Sequence, residues 1–210
     1  MWVVKLGGSL QFSEQLPMWL SEIAEHGGGK VVIVPGGGAF ADQVRRAQQY
    51  WHFDDLVAHH MALLAMEQYG LMMQAMDQRL EVSDSTQGIM SILKAGKVAI
   101  WLPTRMVMQD REITPGWDIT ADSLAAWLAR TLQAQRLVLV KSVELGAGAH
   151  PVSDLIQRGL LDRAFNRMTD GLECEISWLS LDQYTDLKAV FDGNRSLPVR
   201  LVVDNDLATA

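Results

Sequence analysis

The chain has 210 residues, of which 49% are hydrophobic and 20% charged, a composition typical of one α/β domain with a substantial core. Its net charge of −7 argues against nucleic acid as the main partner, because such proteins usually carry a clustered basic face. The apolar segments fall far short of the roughly 20 residues needed to span a bilayer, and a single cysteine excludes an internal disulfide. We therefore expect one cytoplasmic domain over residues 1–210, without a membrane segment or a signal peptide.

The first half of the chain contains a strand, a glycine turn and a helix twice in succession. Buried strands are indicated by short apolar runs, and helices by apolar residues spaced three and four apart. The predicted order is a strand at 3–6, the turn Gly7-Gly8-Ser9, a helix at 14–26, a strand at 31–34, the turn Gly36-Gly37-Gly38, and helices at about 40–50 and 56–80.

The second half continues the alternation. A polar connection at 103–115 is expected to be a loop with a short hairpin. The other predicted elements are strands at 98–102, 137–140, 176–179 and 199–203, and helices at 122–132 and 181–191. Because parallel strands need crossover helices, this order predicts a mainly parallel sheet covered by helices on both faces.

Both glycine turns follow strands directly, at the edge of a parallel sheet where ligands usually bind. Glycine lets backbone N–H groups approach an anion closely, and the following helix adds the positive end of its dipole. The turns Gly7-Gly8-Ser9 and Gly36-Gly37-Gly38 match neither the P-loop nor the dinucleotide-binding pattern. They are either tight turns without a ligand or a different kind of phosphate site.

Two of the six lysines lie at the ends of apolar strands. Lys5 precedes the first glycine turn, and Lys141 follows the run 137–140. Either lysine could simply extend to the surface at a strand end. Alternatively, they supply the positive charge that phosphoryl transfer needs at the β- and γ-phosphates.

Two carboxylates, Asp118 and Asp122, lie four residues apart where a loop enters a helix. Either aspartate could cap that helix. The alternative is a division of roles, in which Asp122 orients a phosphate-binding lysine and Asp118 lines the pocket of the phosphate acceptor.

Four segments together resemble the amino acid kinase family. They are 4–9 (VKLGGS), 34–38 (VPGGG), 118–123 (DITADS) and 141–144 (KSVE). The resemblance implies a three-layer α/β/α sandwich with a mainly parallel central sheet, which binds ATP with Mg²⁺ and transfers the phosphoryl group in line without a phosphoenzyme. It implies an acceptor side mainly in residues 1–115 and a nucleotide side mainly in 116–210.

The resemblance also implies the roles of individual residues. Lys5 contacts the phosphates and Asp122 organises the lysines. The residues expected to bind phosphate or nucleotide are Gly7, Gly8, Ser9, Gly36, Gly37, Gly38 and Lys141. None of the side chains is expected to coordinate a metal ion directly.

The chain departs from the family pattern at two places. It has Val143-Glu144-Leu145 where the family often has Val-Asp-Gly on the nucleotide side, and it lacks the further lysine of a late Gly-Met-x-x-Lys segment. In the corresponding segment, residues 159–163, only Arg163 offers a positive charge. The second catalytic cation is therefore either Arg163 or Lys141.

Residues 58–66 and 117–128 are most similar to a small-chain branch of the family that is associated with methanofuran biosynthesis. Its activity is phosphorylation of 5-(aminomethyl)-3-furanmethanol phosphate to the diphosphate. An acceptor of this kind would need a carboxylate such as Asp118 for its ammonium group and a cation, Arg45 or Arg46, for its phosphate. Gly37 and Thr120 complete the expected acceptor site.

Other functions of the same fold stay open from the sequence. The acceptor could instead be uridylate, isopentenyl phosphate or an acylated amino acid, or the protein could bind a nucleotide or oxyanion without catalysis. His59 and His60 are expected to pack or cap rather than bind. The methionine-rich helix and the seven tryptophans favour a homo-oligomer.

Overall fold

A computed structural model describes residues 1–192 and 196–203. The strands are β1 (Trp2–Leu6), β2 (Val31–Pro35), β3 (Leu80–Ser83), β4 (Val98–Trp101), β5 (Arg136–Lys141), β6 (Gly148–Pro151), β7 (Glu175–Ser180) and β8 (Val199–Val202). The α-helices are α1 (Leu16–His26), α2 (Gly38–Trp51), α3 (Asp55–Met76), α4 (Thr86–Lys94), α5 (Thr104–Gln109), α6 (Ala121–Thr131), α7 (Val152–Gln157), α8 (Phe165–Met168) and α9 (Leu187–Phe191). None of the helices in these ranges is both long enough and apolar enough to cross a membrane.

The strands form one sheet in the order β3-β4-β2-β1-β5-β7-β8-β6. All neighbouring pairs are parallel except β7 and β8, which are antiparallel. β1 lies between β2 and β5, with Lys5 in register with Val34 on one side and Leu139 on the other. The carboxyl ends of β1, β2 and β5 therefore meet at one edge of the sheet.

The core consists of two apolar layers, one on each face of the sheet. Side chains of β1 alternate between them, because successive residues of a strand point to opposite faces. Val3 packs in the layer with α6, whereas Val4 and Leu6 pack in the layer with α1 and α9. This arrangement confirms the predicted three-layer α/β/α sandwich.

Several elements differ from those expected from the sequence. The helix predicted to end at residue 80 ends at Met76, and Leu80 begins β3. The segment 103–115 contains α5 and no hairpin, and residues 181–186 form a 3-10 helix before α9. The elements β3, α4, β6, α7 and α8 were not predicted. Each is short, at four to nine residues, so it offers few repeats of an apolar pattern.

The two glycine turns pack directly against each other, backbone on backbone. A Cβ atom placed on Gly8 would lie 2.4 Å from the nitrogen of Gly38, and one on Gly36 would lie 2.4 Å from the nitrogen of Gly8. Real Cβ contacts are essentially never this short. The neighbouring atoms here belong to the backbone, so they cannot move away by a change of side-chain rotamer. The glycines are thus required for the close approach of the turns themselves, in addition to any role in anion binding.

Gly8→Ala should lower the free energy of unfolding by about 1–3 kcal/mol, the typical cost of forcing an extra methyl group into a packed site. Gly146→Ala is the matched control, because a Cβ there meets nothing within 4 Å. We expect the control to change stability by less than about 0.5 kcal/mol. Urea denaturation of both variants measures the difference, and equal stabilities would show that the contact between the turns relaxes without cost.

Candidate active site

A pocket of about 530 Å³ opens at the edge where β1, β2 and β5 end. Its floor is formed by Lys5, Asp122 and Lys141, and both glycine turns form part of its wall. The opposite wall comes from α2, α3 and the segment that precedes α6. Of the predicted phosphate-binding residues, Gly8, Ser9, Gly36, Gly37 and Gly38 line this pocket.

Asp122 lies between the two lysines at the floor of the pocket. Its Oδ1 atom is 2.8 Å from Nζ of Lys5, and its Oδ2 atom accepts a hydrogen bond of 2.5 Å from Nζ of Lys141. The side chains of Lys5 and Asp122 are each only 6% exposed. One buried carboxylate therefore holds two ammonium groups, which leaves one surplus positive charge.

Burial and the neighbouring charges shift the pKa values of Asp122 and Lys141. Burial is the largest influence on Asp122 and raises its pKa, but the charges and hydrogen bonds of Lys5 and Lys141 together outweigh burial and lower the pKa below its ordinary value. Burial, followed by the charge of Lys5, lowers the pKa of Lys141. Asp122 is thus firmly ionised at neutral pH, whereas Lys141 gives up its proton more readily than a free lysine.

The segment 160–162 supports the cluster from a distant part of the chain. The carbonyl of Leu160 accepts a hydrogen bond of 2.7 Å from Nζ of Lys141. Oδ2 of Asp162 accepts hydrogen bonds from the backbone N–H and hydroxyl of Thr120, at 2.7 and 2.8 Å, and from the N–H of Ser123 at 3.3 Å. Asp162 therefore caps the start of α6, the helix that carries Asp122.

Burial, with a smaller contribution from the charge of Asp122, raises the pKa of Asp162. The late segment, where the family pattern has a lysine, thus contributes a carbonyl and a carboxylate to the site.

The far wall of the pocket combines an aromatic residue, a cation and a carboxylate. Nε1 of Trp117 donates a hydrogen bond of 2.6 Å to Oε1 of Gln48 on α2, which fixes the loop before α6 against that helix. The guanidinium of Arg45 lies 4.3 Å from the ring centroid of Trp117 and pairs with Asp42 at 3.2 Å. Arg45 and Asp42 both line the pocket.

Three predicted site residues, Gly7, Asp118 and Arg163, do not line the pocket. Asp118 and Arg163 are exposed, with 70% and 83% of their side chains accessible, and their charged atoms are 3.8 Å apart. Asp118 precedes α6, which begins at Ala121, so its spacing of four from Asp122 does not place the two on one helical face.

Two buried polar side chains line the pocket although the sequence did not predict them as site residues. Gln11 and His59 are each 6% exposed, and Nε2 of each has no hydrogen-bond partner among the described residues. Burial lowers the pKa of His59, so its ring is neutral at pH 7. His59 was expected to pack or cap, and no local sequence signal marked Gln11. Gln11 and His59 can be recognised as pocket residues only from the structure, in which α3 and the segment after the first glycine turn line the same pocket.

The pocket fits the phosphates of a nucleotide. Paired turns without Cβ atoms and two lysines are donors suited to phosphoryl oxygens. Within residues 1–192 and 196–203, no group of three or more histidine, cysteine, aspartate or glutamate side chains could hold a metal ion by itself. These hydrogen-bond donors do not ligate a cation, so a Mg²⁺ ion at this site would have to be held mainly by the oxygens of the bound phosphates.

Known proteins share this fold and part of this sequence. Over 145 residues, 69% of this chain and 67% of the relative, the chain is 27% identical to the [5-(aminomethyl)furan-3-yl]methyl phosphate kinase of Methanocaldococcus jannaschii. The structure of a uridylate kinase from Archaeoglobus fulgidus matches with a TM-score of 0.73 at 14% identity, covering 96% of this chain and 99% of that one. A structure of isopentenyl phosphate kinase matches with a TM-score of 0.64 at 15% identity, covering 96% and 100%.

The amino acid kinase family matches residues 1–145, which include β1 to β5, both glycine turns and all three members of the charged cluster. The match therefore extends over more than half of the chain and over the floor of the pocket. The chain belongs to the amino acid kinase family and is a small-molecule kinase.

Proposed function

We propose that this kinase transfers the γ-phosphoryl group of ATP to the phosphate of [5-(aminomethyl)furan-3-yl]methyl phosphate, forming the diphosphate and ADP in the cytoplasm. The observation that carries the transfer is the buried Lys5–Asp122–Lys141 cluster at the floor of a pocket walled by both glycine turns. The choice of acceptor is supported by the relative from Methanocaldococcus jannaschii and by the chemistry of the pocket.

In the proposed reaction, an oxygen of the acceptor phosphate attacks the γ-phosphorus in line and forms a new P–O bond. The bond between the γ-phosphorus and the β–γ bridging oxygen breaks, and ADP leaves with that oxygen. Lys5 and Lys141 stabilise the negative charge that spreads over the transferring oxygens, and Asp122 holds both at the required positions. Mg²⁺, bound with the nucleotide, would neutralise further phosphate charge.

Lys141 is the second catalytic cation in this proposal. Its Nζ lies within hydrogen-bonding distance of Asp122, whereas Arg163 is exposed and pairs with Asp118 outside the pocket. The glycine turns and the first turn of α2 supply backbone N–H groups to the phosphates.

The far half of the pocket suits a small ring that carries an amine. Leu63, Met66 and Ile119 offer apolar contacts for a furan ring. The carboxylate of Asp42 is the proposed partner of the ammonium group, because it lines the pocket and Asp118 does not. Arg45, beside it, would contact the acceptor phosphate.

The direct test is an acceptor panel in a coupled assay of ADP release. We expect kcat/KM for [5-(aminomethyl)furan-3-yl]methyl phosphate to exceed that for uridylate, isopentenyl phosphate and N-acetylglutamate by at least about a hundredfold, since the competitors lack the amine or the small ring. The furan phosphate without its aminomethyl group is the matched control, and its KM should rise by roughly tenfold or more. A faster reaction with any other member of the panel would reassign the acceptor.

The activity should fall at alkaline pH as Lys141 loses its proton. The pKa of Lys141 is lowered from its ordinary 10.5, so the charged form exists only below that reduced value and is lost as pH rises through it. Lys141→Arg stays charged at every accessible pH, and it should shift the alkaline limb of kcat upward by roughly one pH unit or more. Lys97→Arg, an exposed lysine paired with Glu81, is the control. If the limb is the same in all three proteins, another group causes it.

We also propose that the kinase is a homo-oligomer that associates through α3. One face of this helix exposes apolar side chains at intervals of four, three and seven residues, which place them on one side of the helix. They are Val57, Met61, Leu64 and Leu71, with exposed fractions between 37% and 50%. Such a stripe is the kind of surface that a second copy of the chain would cover.

Leu64→Glu should convert the oligomer to monomers, because it places a charge in the middle of the stripe on α3. Met18→Glu is the control, since Met18 is also an exposed apolar residue, 50% accessible against 41% for Leu64, but lies on α1 and is not part of the stripe. Sedimentation velocity at micromolar concentration distinguishes the outcomes. A monomeric wild-type protein, or dissociation by both variants, would contradict association through α3.

A further inference from the structure

Gln11 lies two residues after the first glycine turn, and its side chain is fixed in one orientation. Its Oε1 atom accepts a hydrogen bond of 2.7 Å from the backbone N–H of Ala39, in the first turn of α2. A backbone N–H can donate only to the oxygen of a carboxamide, so this bond assigns the oxygen and nitrogen atoms of the Gln11 side chain. The free end is therefore Nε2, a group that only donates.

The side chain of Gln11 packs closely against the second glycine turn. Gly38 has φ of +55°, and a Cβ atom there would lie 2.3 Å from Oε1 of Gln11. The second turn therefore needs glycine both for its left-handed backbone and to leave room for this carboxamide. Gln11 links the turn after β1 to the N-terminus of α2.

Nε2 of Gln11 is a buried donor without a partner. Gln11 is 6% exposed, and within residues 1–192 and 196–203 no acceptor contacts Nε2. Buried donors are nearly always satisfied, because an unmade hydrogen bond costs stability. Gln11 lines the pocket beside Gly38 and Ala39, so a ligand bound there would lie next to this carboxamide and to the N–H groups and dipole of a helix of 14 residues.

We propose that Gln11 is a specificity-determining residue that donates a hydrogen bond from Nε2 to a phosphoryl oxygen of the acceptor, held at the N-terminus of α2. A group that only donates, next to a positive helix end, selects an oxyanion and disfavours an ammonium group.

The acceptor, and not the nucleotide, is inferred from the position of the site. α2 follows β2, whereas Lys141 lies at the end of β5 on the other side of β1. The inference rests on the proposed function in taking the acceptor to be phosphorylated and to bind along α2.

Gln11→Glu tests the donor with little change of shape. One carboxylate oxygen can still accept from Ala39, while the other replaces the donor by a negative acceptor. The probe is inorganic phosphate, added to protein saturated with a non-hydrolysable ATP analogue and followed by isothermal titration calorimetry. We expect the Kd for phosphate to rise at least about tenfold in Gln11→Glu, while the Kd for the ATP analogue changes less than about twofold. Gln87→Glu, an exposed position on α4, should change neither.

The pH dependence separates a lost donor from a disturbed fold. A carboxyl group buried at position 11 should have a raised pKa, so lowering the pH from about 8 to about 6 should protonate it and restore a donor. The affinity of Gln11→Glu for phosphate, relative to wild type at the same pH, should therefore recover. Should this variant not fold, Gln11→Met, which is neutral and similar in length, should raise the Kd for phosphate by roughly threefold to tenfold.

Three results would overturn the inference. They are a wild-type protein that binds no phosphate at millimolar concentration, variants that weaken only the ATP analogue, and variants with unchanged phosphate affinity at every pH. If phosphate binding responds as expected but the furan phosphate is not phosphorylated, the acceptor assignment fails and the role of Gln11 stands.

Discussion

The site depends on one carboxylate held between two ammonium groups at a place from which water is largely removed. Burying any of these charges alone would be costly, because each would lose its hydration without a partner. With Asp122 at 2.8 Å from Lys5 and 2.5 Å from Lys141, each lysine has its partner and the three stay ionised together. Asp122 therefore allows two cations to lie close together in the interior, which neither lysine could do without it.

The cluster in turn constrains distant parts of the chain. Asp122 lies in the first turn of α6, and the carboxylate that caps this helix, Asp162, comes from a segment some 40 residues later, as does the carbonyl that receives the second hydrogen bond of Lys141. Three strands must end together for Lys5, Lys141 and the glycine turns to meet. Sheet register thus determines the distances within the site, and the loop 159–162 maintains them.

The sequence predicts the parts of this arrangement that arise from repeated patterns. The apolar runs of β1, β2 and β5 and the glycine turns after the first two indicated a parallel sheet with a ligand site at its carboxyl edge. Family resemblance singled out Lys5, Asp122 and Lys141, which the structure places in contact. What could not be predicted depends on the exact start of a helix or on a contact distant in sequence. Asp118 lies outside α6 because the helix begins at Ala121. Asp162 accepts hydrogen bonds at the start of α6, whereas its neighbour Arg163 is exposed and pairs with Asp118.

The overall charge of −7 and the proposed binding of phosphorylated ligands are reconciled by where the charges lie. The charged residues that line the pocket are three cations, Lys5, Arg45 and Lys141, and two carboxylates, Asp42 and Asp122, so the pocket carries one net positive charge on a negative protein. Beyond a Debye length of about 8 Å, surface charges are largely screened at physiological salt, so an approaching phosphate responds mainly to the pocket. The amide groups of the glycine turns and the end of α2 add positive potential without adding net charge. In the proposed function, attraction for phosphate therefore arises mainly at the site itself.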